Sequence, residues 1–286
     1  MLKRIKQARA AFSMLDPEEV RKNAERPVNL GLVASSGRGY AEMEDFLLPG
    51  GMAHQRRLEL MERVHRADDP DPPPTVDLVL YQHGTQSEEG AYTFDRDDPQ
   101  STVAQILDDH DELALPLARQ FPAFRKPVVD GIIQAVSREN ALFAIATALP
   151  NVAPNLLELP WAIGEFASDT VFLTANQIRM AFLIAAACGK DAGLGRQKAE
   201  VLSIIAAAFG WRALARELVG KIPLGGGLIP KGAIAYAGTF VAGKSLEYFH
   251  HANVPYSEEQ RGEAYREALE RGKQVAESLH AGPPSQ

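Results

Sequence analysis

Two stretches of the sequence have residue types in an order that suits phosphate chemistry. The first, Ser35-Ser36-Gly37-Arg38-Gly39, follows an apolar run and contains the glycines of a phosphate-binding turn. It lacks the Gly-Lys-Ser/Thr ending that would bring a lysine to the β- and γ-phosphates and a hydroxyl to magnesium. The next apolar run ends in Tyr81-Gln82-His83-Gly84 and offers no magnesium-binding aspartate. The sequence therefore predicts an anion-binding turn at Ser35, Ser36, Gly37, Arg38 and Gly39, without hydrolysis.

The second stretch, Gly238-Thr239-Phe240-Val241-Ala242-Gly243-Lys244-Ser245, satisfies the expression of a nucleotide-binding P-loop literally. A phosphate loop must follow a strand and leave its backbone amides free to surround the phosphates. Here Phe240 and Val241 instead continue an apolar helical pattern. We expect this stretch to be part of a helix and not a nucleotide site.

Polar residues inside apolar helical stretches form the other candidate site. Asn176, Gln177 and Arg179 interrupt a predicted helix over 169–188, and a buried arginine needs a carboxylate partner. Glu165 and Asp169 are the natural partners for Arg179. We expect structural ion pairs, with a functional polar pocket as the alternative. The full candidate cluster is Glu165, Asp169, Asn176, Gln177, Arg179, Trp211, Arg212 and Lys231.

Metal and thiol chemistry have weak support. None of the seven histidines has the spacing of a metal-binding motif, and Asp108-Asp109-His110-Asp111-Glu112 is typical of a solvated helix junction. The single cysteine, Cys188, lies on an apolar helix, and we interpret it as a core residue. We expect no metal, no cofactor and no catalytic residues.

The elements that position these residues fall into two classes. Apolar strands over 27–35 and 75–82, joined by helical sequence over 40–66, predict a βαβ unit with a parallel pair of strands. The segment 91–94 predicts a short edge strand. Helices are predicted over 16–25, 102–108, 112–120, 128–149, 169–188, 195–209, 212–221, 230–250 and from 257 onward. The predicted fold is mainly α with a small α/β module, namely a degenerate P-loop-like βαβ unit followed by a helical bundle.

Composition excludes several classes of protein. The chain has 286 residues, 45% hydrophobic and 23% charged, which excludes disorder as its main state. A net charge of -7 argues against a nucleic-acid binder. One cysteine excludes a disulfide framework, and without a signal peptide at residue 1 we expect a cytoplasmic location.

The charge is unevenly distributed. Thirteen acidic residues and a single basic one, Arg96, lie between Asp68 and Glu112. This acidic segment forms a solvated face, docks a basic partner, or folds back on the basic remainder of the chain. The first interpretation is the simplest, and all three stay open at this point.

Membrane association is an alternative for two parts of the chain. Residues 1–14 have the pattern of a short basic amphipathic helix, which suits a membrane surface, a partner or a packed terminus. The uncharged stretches after Val128 are interrupted by prolines, Arg179 and Lys231, so a buried helical bundle explains them better than membrane spans. Small residues spaced along 232–243 keep an integral inner-membrane protein as the minority interpretation.

Three motifs together resemble a known family. Thr174-Ala175-Asn176-Gln177-Ile178-Arg179-Met180, Ala207-Ala208-Phe209-Gly210-Trp211-Arg212 and Gly225-Gly226-Gly227-Leu228-Ile229-Pro230-Lys231, with the small-residue stretch over 233–243, are similar to the bacterial YcjF-like domain of unknown function. The resemblance covers roughly 128–250. It implies a helical, membrane-associated domain that often follows a Ras-like GTPase domain, and it supplies no catalytic residues.

These observations lead to a set of expectations about organisation and function. We expect N-terminal helices over 1–26, a shortened pseudo-GTPase-like module over 27–122, a helical YcjF-like domain over 123–256, and a C-terminal helix and tail over 257–286. The expected function is that of a non-enzymatic binding or scaffold protein whose helical domain docks on an unidentified protein partner or the cytoplasmic membrane face. A nucleotide-responsive regulator with a degenerate P-loop, or an integral inner-membrane protein, is the alternative.

Overall fold

The computed structural model describes residues 17–70, 75–86, 91–147, 169–190, 228–254 and 256–281. Within them the chain is mainly α-helical and carries one small sheet of four parallel strands. The predicted fold class, mainly α with a small α/β module, is therefore confirmed. The predicted helices over 195–209 and 212–221 and the amphipathic segment 1–14 lie outside the described residues.

The chain divides into two compact units. The sheet unit comprises 19–129 and 186–190, and we call the remainder the helical unit. From the first described residue onward the elements are α1 (Pro17–Ala24), β1 (Leu30–Val33), α2 (Gly37–Leu47), α3 (His54–Met61), β2 (Val64–Arg66), β3 (Leu78–Gln82), β4 (Tyr92–Phe94), α4 (Pro99–Asp109), a 3₁₀ helix (Asp111–Leu113) and α5 (Ala114–Gln120).

The strands are ordered β2-β1-β3-β4. β1 pairs in parallel with β3, with Leu30 opposite Leu78, so the predicted parallel pair is confirmed. β4 pairs in parallel with β3 and lies at the end of the strand order, as predicted for the segment 91–94. The chain moves from β2 on one side of β1 to β3 on the other, which makes the carboxyl ends of β1 and β3 a topological switch point.

Strand β2 corrects the sequence-based expectation, because helix was predicted up to residue 66. The segment Val64–Arg66 pairs in parallel with Leu30–Leu32 of β1 instead. Arg66 makes two hydrogen bonds to Glu44 on α2, at 2.7 and 2.9 Å, and its guanidinium lies 5.3 Å from the ring centroid of Tyr40. A contact with a residue so distant in sequence outweighs the local helical pattern.

The core of the sheet unit lies between the strands and their helices. Leu30, Leu32 and Leu80 from the strands are at most 1% exposed. They belong to one apolar cluster with side chains of the helices and of the segment that follows α5. Members from outside the strands include Met43, Leu47, Val103, Ile106, Phe121 and Phe124. The sheet is therefore held in place by burial, and its strand ends stay free to carry polar residues.

Four long helices lie wholly or partly in the helical unit among the residues that the structure describes. They are α6 (Pro122–Ala146), α7 (Asp169–Ala187), α8 (Leu228–Ala252) and α9 (Glu258–Ala281). The division between the units falls within α6, before Asp130, and within α7, after Ala185. Helix α6 begins six residues before the prediction, with Pro122 as its first residue and Pro127 inside it. Proline at the first helical position has a backbone angle that suits a helix, so it starts α6 instead of breaking the pattern.

Glycines let the helices of this unit approach each other closely. A Cβ on Gly243 of α8 would lie 2.7 Å from Ile133 of α6, and one on Gly272 of α9 would lie 2.8 Å from the carbonyl oxygen of Ala233. The neighbour of Gly243 is a buried side chain, whereas the neighbour of Gly272 is backbone, which cannot move aside. Gly272 is therefore the residue that sets the spacing between α8 and α9.

Helix α9 starts at a reciprocal cap, as its sequence predicts. The backbone N–H of Gln260 donates to Ser257 Oγ at 3.1 Å, and the backbone N–H of Ser257 donates to Gln260 Oε1 at 2.9 Å. Tyr265, one of the residues that dock α9 on α8, is 2% exposed and clusters with Ala237 and Val241. Burial raises the pKa of Tyr265 from its ordinary 10.0 to about 12.

None of the described helices is both long and apolar enough to cross a bilayer.

Replacing Gly272 by alanine tests the contact between α8 and α9. Although alanine favours a helix by about 1 kcal/mol over glycine, the new methyl group meets backbone that cannot move aside. We expect Gly272→Ala to lower the free energy of unfolding by about 1 to 3 kcal/mol, as overpacking does. Gly262→Ala on the same helix, where a Cβ meets nothing within 4 Å, is the matched control and should raise it. Equal effects in denaturant titrations would contradict this interpretation.

The raised pKa of Tyr265 predicts a specific loss of stability at alkaline pH. The folded chain holds the phenolic proton more tightly than the unfolded chain, so the contribution is intact below pH 10 and is lost as pH rises towards 12. Two pKa units correspond to about 2.7 kcal/mol. We expect Tyr265→Phe to remove this part of the pH dependence, measured as the difference in unfolding free energy between wild type and variant. Parallel curves above pH 10 would contradict the assignment.

Candidate functional site

The predicted anion-binding turn lies at the topological switch point of the sheet. Ser36 caps α2: its Oγ accepts a hydrogen bond of 3.2 Å from the backbone N–H of Gly39. Gln82, the last residue of β3, accepts from the backbone N–H of Ser35 at 3.3 Å and from its hydroxyl at 3.4 Å. A Cβ on Gly39 would collide with the same Gln82 side chain. The side-chain amide of Gln82 therefore packs against the turn.

Arg38 points away from this turn into an exposed ion-pair chain. Its Nε lies 3.0 Å from Glu42, and its side chain is 79% exposed. Glu42 also contacts Arg96 at 2.9 Å. Gly37 is the first residue of α2, and a Cβ there would meet nothing within 4 Å. The structure thus brings Ser35, Ser36 and Gly39 together with Gln82, and leaves Arg38 paired on the surface.

The polar residues of α7 meet partners on two other helices. Arg179 Nη2 donates to both carboxylate oxygens of Glu139 on α6, at 3.1 and 2.9 Å, and each side chain of this pair is 19% exposed. Asn176 Nδ2 donates to Glu139 at 3.0 Å and to Asn140 Oδ1 at 2.9 Å. The expected structural ion pair of Arg179 is present with Glu139, whereas the predicted partners, Glu165 and the side chain of Asp169, lie outside the described residues.

The network ends on a hydroxyl group of α8. Thr239 Oγ1 accepts from Asn140 Nδ2 at 2.8 Å and from Gln177 Nε2 at 3.3 Å, and it donates to the carbonyl of Ala235 at 2.8 Å. Asn140 is fully buried and Thr239 is 1% exposed. The described residues offer no donor to Asn176 Oδ1, which is itself buried. We call Glu139, Asn140, Asn176, Gln177, Arg179 and Thr239 the interhelical network.

The remaining residues of the predicted cluster do not join this network among the described atoms. Lys231 is exposed on α8, two turns before Thr239, which is about 12 Å along a helix. Asp169 begins α7, and its side chain lies outside the described residues, as do Glu165, Trp211 and Arg212. Glu139, Asn140 and Thr239 were missed. The sequence signal that could have found Glu139 and Asn140 is the run Ser-Arg-Glu-Asn, which interrupts the apolar pattern of α6 one helical turn after Ile133.

The stretch that imitates a P-loop is helical throughout. It lies inside α8, so its backbone amides belong to a helix and do not surround an anion, as the sequence analysis expects. Lys244 Nζ contacts Asp130 at 2.5 Å and Glu247 at 2.7 Å. Burial lowers the pKa of Lys244, but the hydrogen bonds to these two carboxylates outweigh it and raise the pKa above 10.5. The lysine is a structural cation in the helical unit.

Two further expectations concern metals and the thiol. Over the described ranges, no three His, Cys, Asp or Glu side chains are placed to share a metal ion. The acidic run at 108–112 forms the junction between α4 and the 3₁₀ helix, as predicted. Cys188 is half-buried just after the end of α7, so its interpretation as a core residue is wrong. The apolar pattern of α7 extends up to Cys188, but the helix ends before it.

Comparisons with known proteins leave the family open. No family model, no curated protein and no solved structure matches this chain. The resemblance to the YcjF-like domain stays a prediction from the three motifs.

Replacing Asn140 tests whether the interhelical network stabilises the helical unit. Asn140→Ala removes one of the two donors to Thr239 Oγ1 and one of the two acceptors of Asn176 Nδ2 at a buried position, which costs about 1 to 3 kcal/mol of unfolding free energy. Ser137→Ala is the matched control, because Ser137 is equally buried on α6 but bonds only to the carbonyl of Ile133 in its own helix. We expect a change below about 0.5 kcal/mol for the control. Similar losses for both variants in denaturant titrations would contradict a special role of Asn140.

Proposed function

We propose that the protein is a non-enzymatic binding or scaffold protein, in which the helical unit docks on a protein partner and the sheet unit presents an acidic surface to it. Docking on the cytoplasmic face of a membrane is the alternative for the helical unit. The observation that carries the proposal is the acidic surface of the sheet unit.

The acidic surface consists of six exposed carboxylates at the two ends of α4 and on the 3₁₀ helix, namely Asp97, Asp98, Asp108, Asp109, Asp111 and Glu112. Little positive charge is available nearby to neutralise it. Arg96 is engaged by Glu42, and His110 Nδ1 lies 3.4 Å from Glu112. The backbone hydrogen bond of Glu112 lowers its pKa below the ordinary value of 4.5, so this carboxylate is charged at neutral pH.

The contacts of the residues that the sequence singled out for chemistry favour binding over catalysis. Gln82 occupies the turn after β1, and Asp130 and Glu247 hold Lys244. The amides of α7 donate to neighbouring helices. A side chain whose donors and acceptors are satisfied within the fold contributes stability. These three positions are therefore engaged within the fold, whereas the carboxylates of the acidic surface are exposed.

Charge also favours a protein over a membrane as the partner of the sheet unit. The cytoplasmic leaflet carries a negative surface potential, which attracts basic segments and repels carboxylates. A basic protein segment has the complementary charge, and such complementarity accelerates association and selects partners. The resemblance to the YcjF-like domain supports the membrane alternative for the helical unit alone.

Neutralising the acidic surface tests this proposal. The variant Asp108→Asn/Asp111→Asn/Glu112→Gln removes three exposed charges, whereas Glu263→Gln/Glu267→Gln/Glu277→Gln removes the same number from the exposed side of α9. We expect pull-downs from the native cell to recover a partner with a basic segment on wild type and on the α9 variant, and to lose it on the first variant. Binding should also weaken with added salt, because exposed charges are screened.

Two results would contradict the proposal. One is equal recovery of the partner by both variants. The other is that the wild-type protein sediments with anionic phospholipid vesicles and that the first variant sediments more strongly with them. The acidic surface would then only oppose a membrane contact.

A nucleotide-responsive regulator is the second candidate, and the position of the Ser35–Gly39 turn favours it. Open parallel sheets bind ligands at such switch points, with the phosphate at the helix N-terminus. Gln82 would have to leave the turn first, so Gln82→Ala should strengthen any nucleotide-dependent rise in melting temperature. The absence of a rise with millimolar GTP or ATP and magnesium, in wild type and in this variant, would remove the candidate.

A further inference from the structure

The sheet unit contains a cavity of about 750 Å3. Its wall includes Arg63 just before β2, Arg119 at the end of α5, Arg125 in the first turns of α6, and Cys188 after α7. Because the backbone N–H of Leu30 donates to the carbonyl of Arg63, this wall lies at the amino ends of β1 and β2. It is therefore distinct from the Ser35–Gly39 turn, which follows the carboxyl end of β1. The volume is within the range of small-molecule sites.

Arginines dominate the charge of the cavity, and they differ in how they are held. Four arginines and three glutamates line it. Arg56 is paired with Glu59 at 3.2 Å. Arg119 donates to the carbonyls of Ala186 and Lys190, at 3.3 and 2.8 Å. These two side chains are thus engaged by the fold.

Arg63 and Arg125 are the other two, and neither has a carboxylate within 4.0 Å among the described residues. Arg63 Nη1 makes one long contact, 3.5 Å, with the side chain of Asn29. Arg125 donates through Nε to the carbonyl of Ala187 at 3.2 Å, and no described residue accepts from its two terminal nitrogens. Both guanidinium groups therefore retain donors for which the described part of the chain supplies no acceptor.

The surroundings of Arg125 make an anion favourable there. Its side chain is partly buried, and this burial, together with the positive charge of Arg56, lowers its pKa from 12.5, while Cys188 opposes the shift. A guanidinium does not lose its proton in a protein. It therefore stays charged with little water and without a carboxylate, and a bound anion supplies the missing partner.

We propose that this cavity binds a small molecule that carries a phosphoryl group, with Arg63 and Arg125 as its anchors. A phosphoryl group has about two negative charges and three acceptor oxygens, which suit two guanidinium groups, whereas a carboxylate carries a single negative charge. The volume exceeds that of a free phosphate ion, so the ligand has an organic part. The carboxylate of Glu62 at the exposed margin suits a hydroxyl or amino group of that part.

The cavity contains its own reporter. Cys188 is the one cysteine of the chain, so a thiol reagent such as iodoacetamide labels only this position. A ligand beside Arg125 shields the thiol. With β-glycerophosphate at ten times its dissociation constant we expect labelling to slow about ten-fold by mass action. Inorganic phosphate should protect at higher concentration. Acetate and chloride, at matched ionic strength, should not protect.

Substitutions of Arg63 and Arg125 test whether these two anchors cause the protection. Loss of a charged hydrogen-bonding group weakens binding about 10- to 100-fold, so Arg125→Gln should require correspondingly more β-glycerophosphate. Because Arg125 also bonds to Ala187, circular dichroism must show that this variant is folded. Arg63→Gln should likewise require more β-glycerophosphate, with a smaller structural change, because the contact of Arg63 with Asn29 is long. Arg38→Gln, in the turn after β1, is the control and should protect like wild type.

Three outcomes overturn the proposal. The first is equal labelling rates with β-glycerophosphate and with chloride up to tens of millimolar. The second is protection that survives Arg63→Gln and folded Arg125→Gln. The third is protection by acetate as strong as that by β-glycerophosphate, which would assign the cavity to carboxylates. None of these outcomes depends on the partner of the acidic surface, so the two proposals stand or fall separately.

Discussion

The hydroxyl group of Thr239 fixes how the helices of the helical unit meet. It accepts amide protons from α6 and α7 and donates its own proton to α8, so its hydrogen-bonding capacity is used completely. Around it the packing surface of α8 is smooth, because Gly232 and Gly243 carry no side chains. The apolar packing also opposes a shift of α8 by one residue, because the shift would place side chains where Gly232 and Gly243 now lie against Ile145 and Ile133. Such a shift would bring Gly238 or Phe240 to this place and leave two buried amides without an acceptor, so the polar contact specifies the register.

Local signals in the sequence were sufficient for much of the fold. Ser257 with Gln260 starts α9, as predicted, and Asp98 with Pro99 starts α4 in a similar way, three residues before the predicted start at 102. These caps involve neighbours in the chain, and their residue types determine them. The short strand β2 was missed for the opposite reason. Three residues cannot show an alternating pattern, and the partner of Arg66 lies 22 residues away.

The residues of the candidate sites could be predicted only in part. Asn176, Gln177 and Arg179 stood out because they are polar in an apolar helix, but their partners on α6 and α8 depend on tertiary packing. Thr239 was hidden inside a stretch that imitates a P-loop. The cavity could not be predicted at all, since its arginines come from four separate segments of the chain. The net charge of -7 likewise gave no sign that arginines without carboxylate partners share a wall with a thiol.

The segment 186–190 makes the order of synthesis matter for folding. It belongs to the sheet unit, whose other residues end at Val129, and its carbonyl groups accept from Arg119 and Arg125. On the ribosome the nascent sheet unit must wait for more than 50 further residues before these carbonyls emerge. A fragment cut after Val129 lacks them as well. A sheet domain excised at this boundary would therefore leave Arg119 and Arg125 without the carbonyl acceptors that the whole chain gives them.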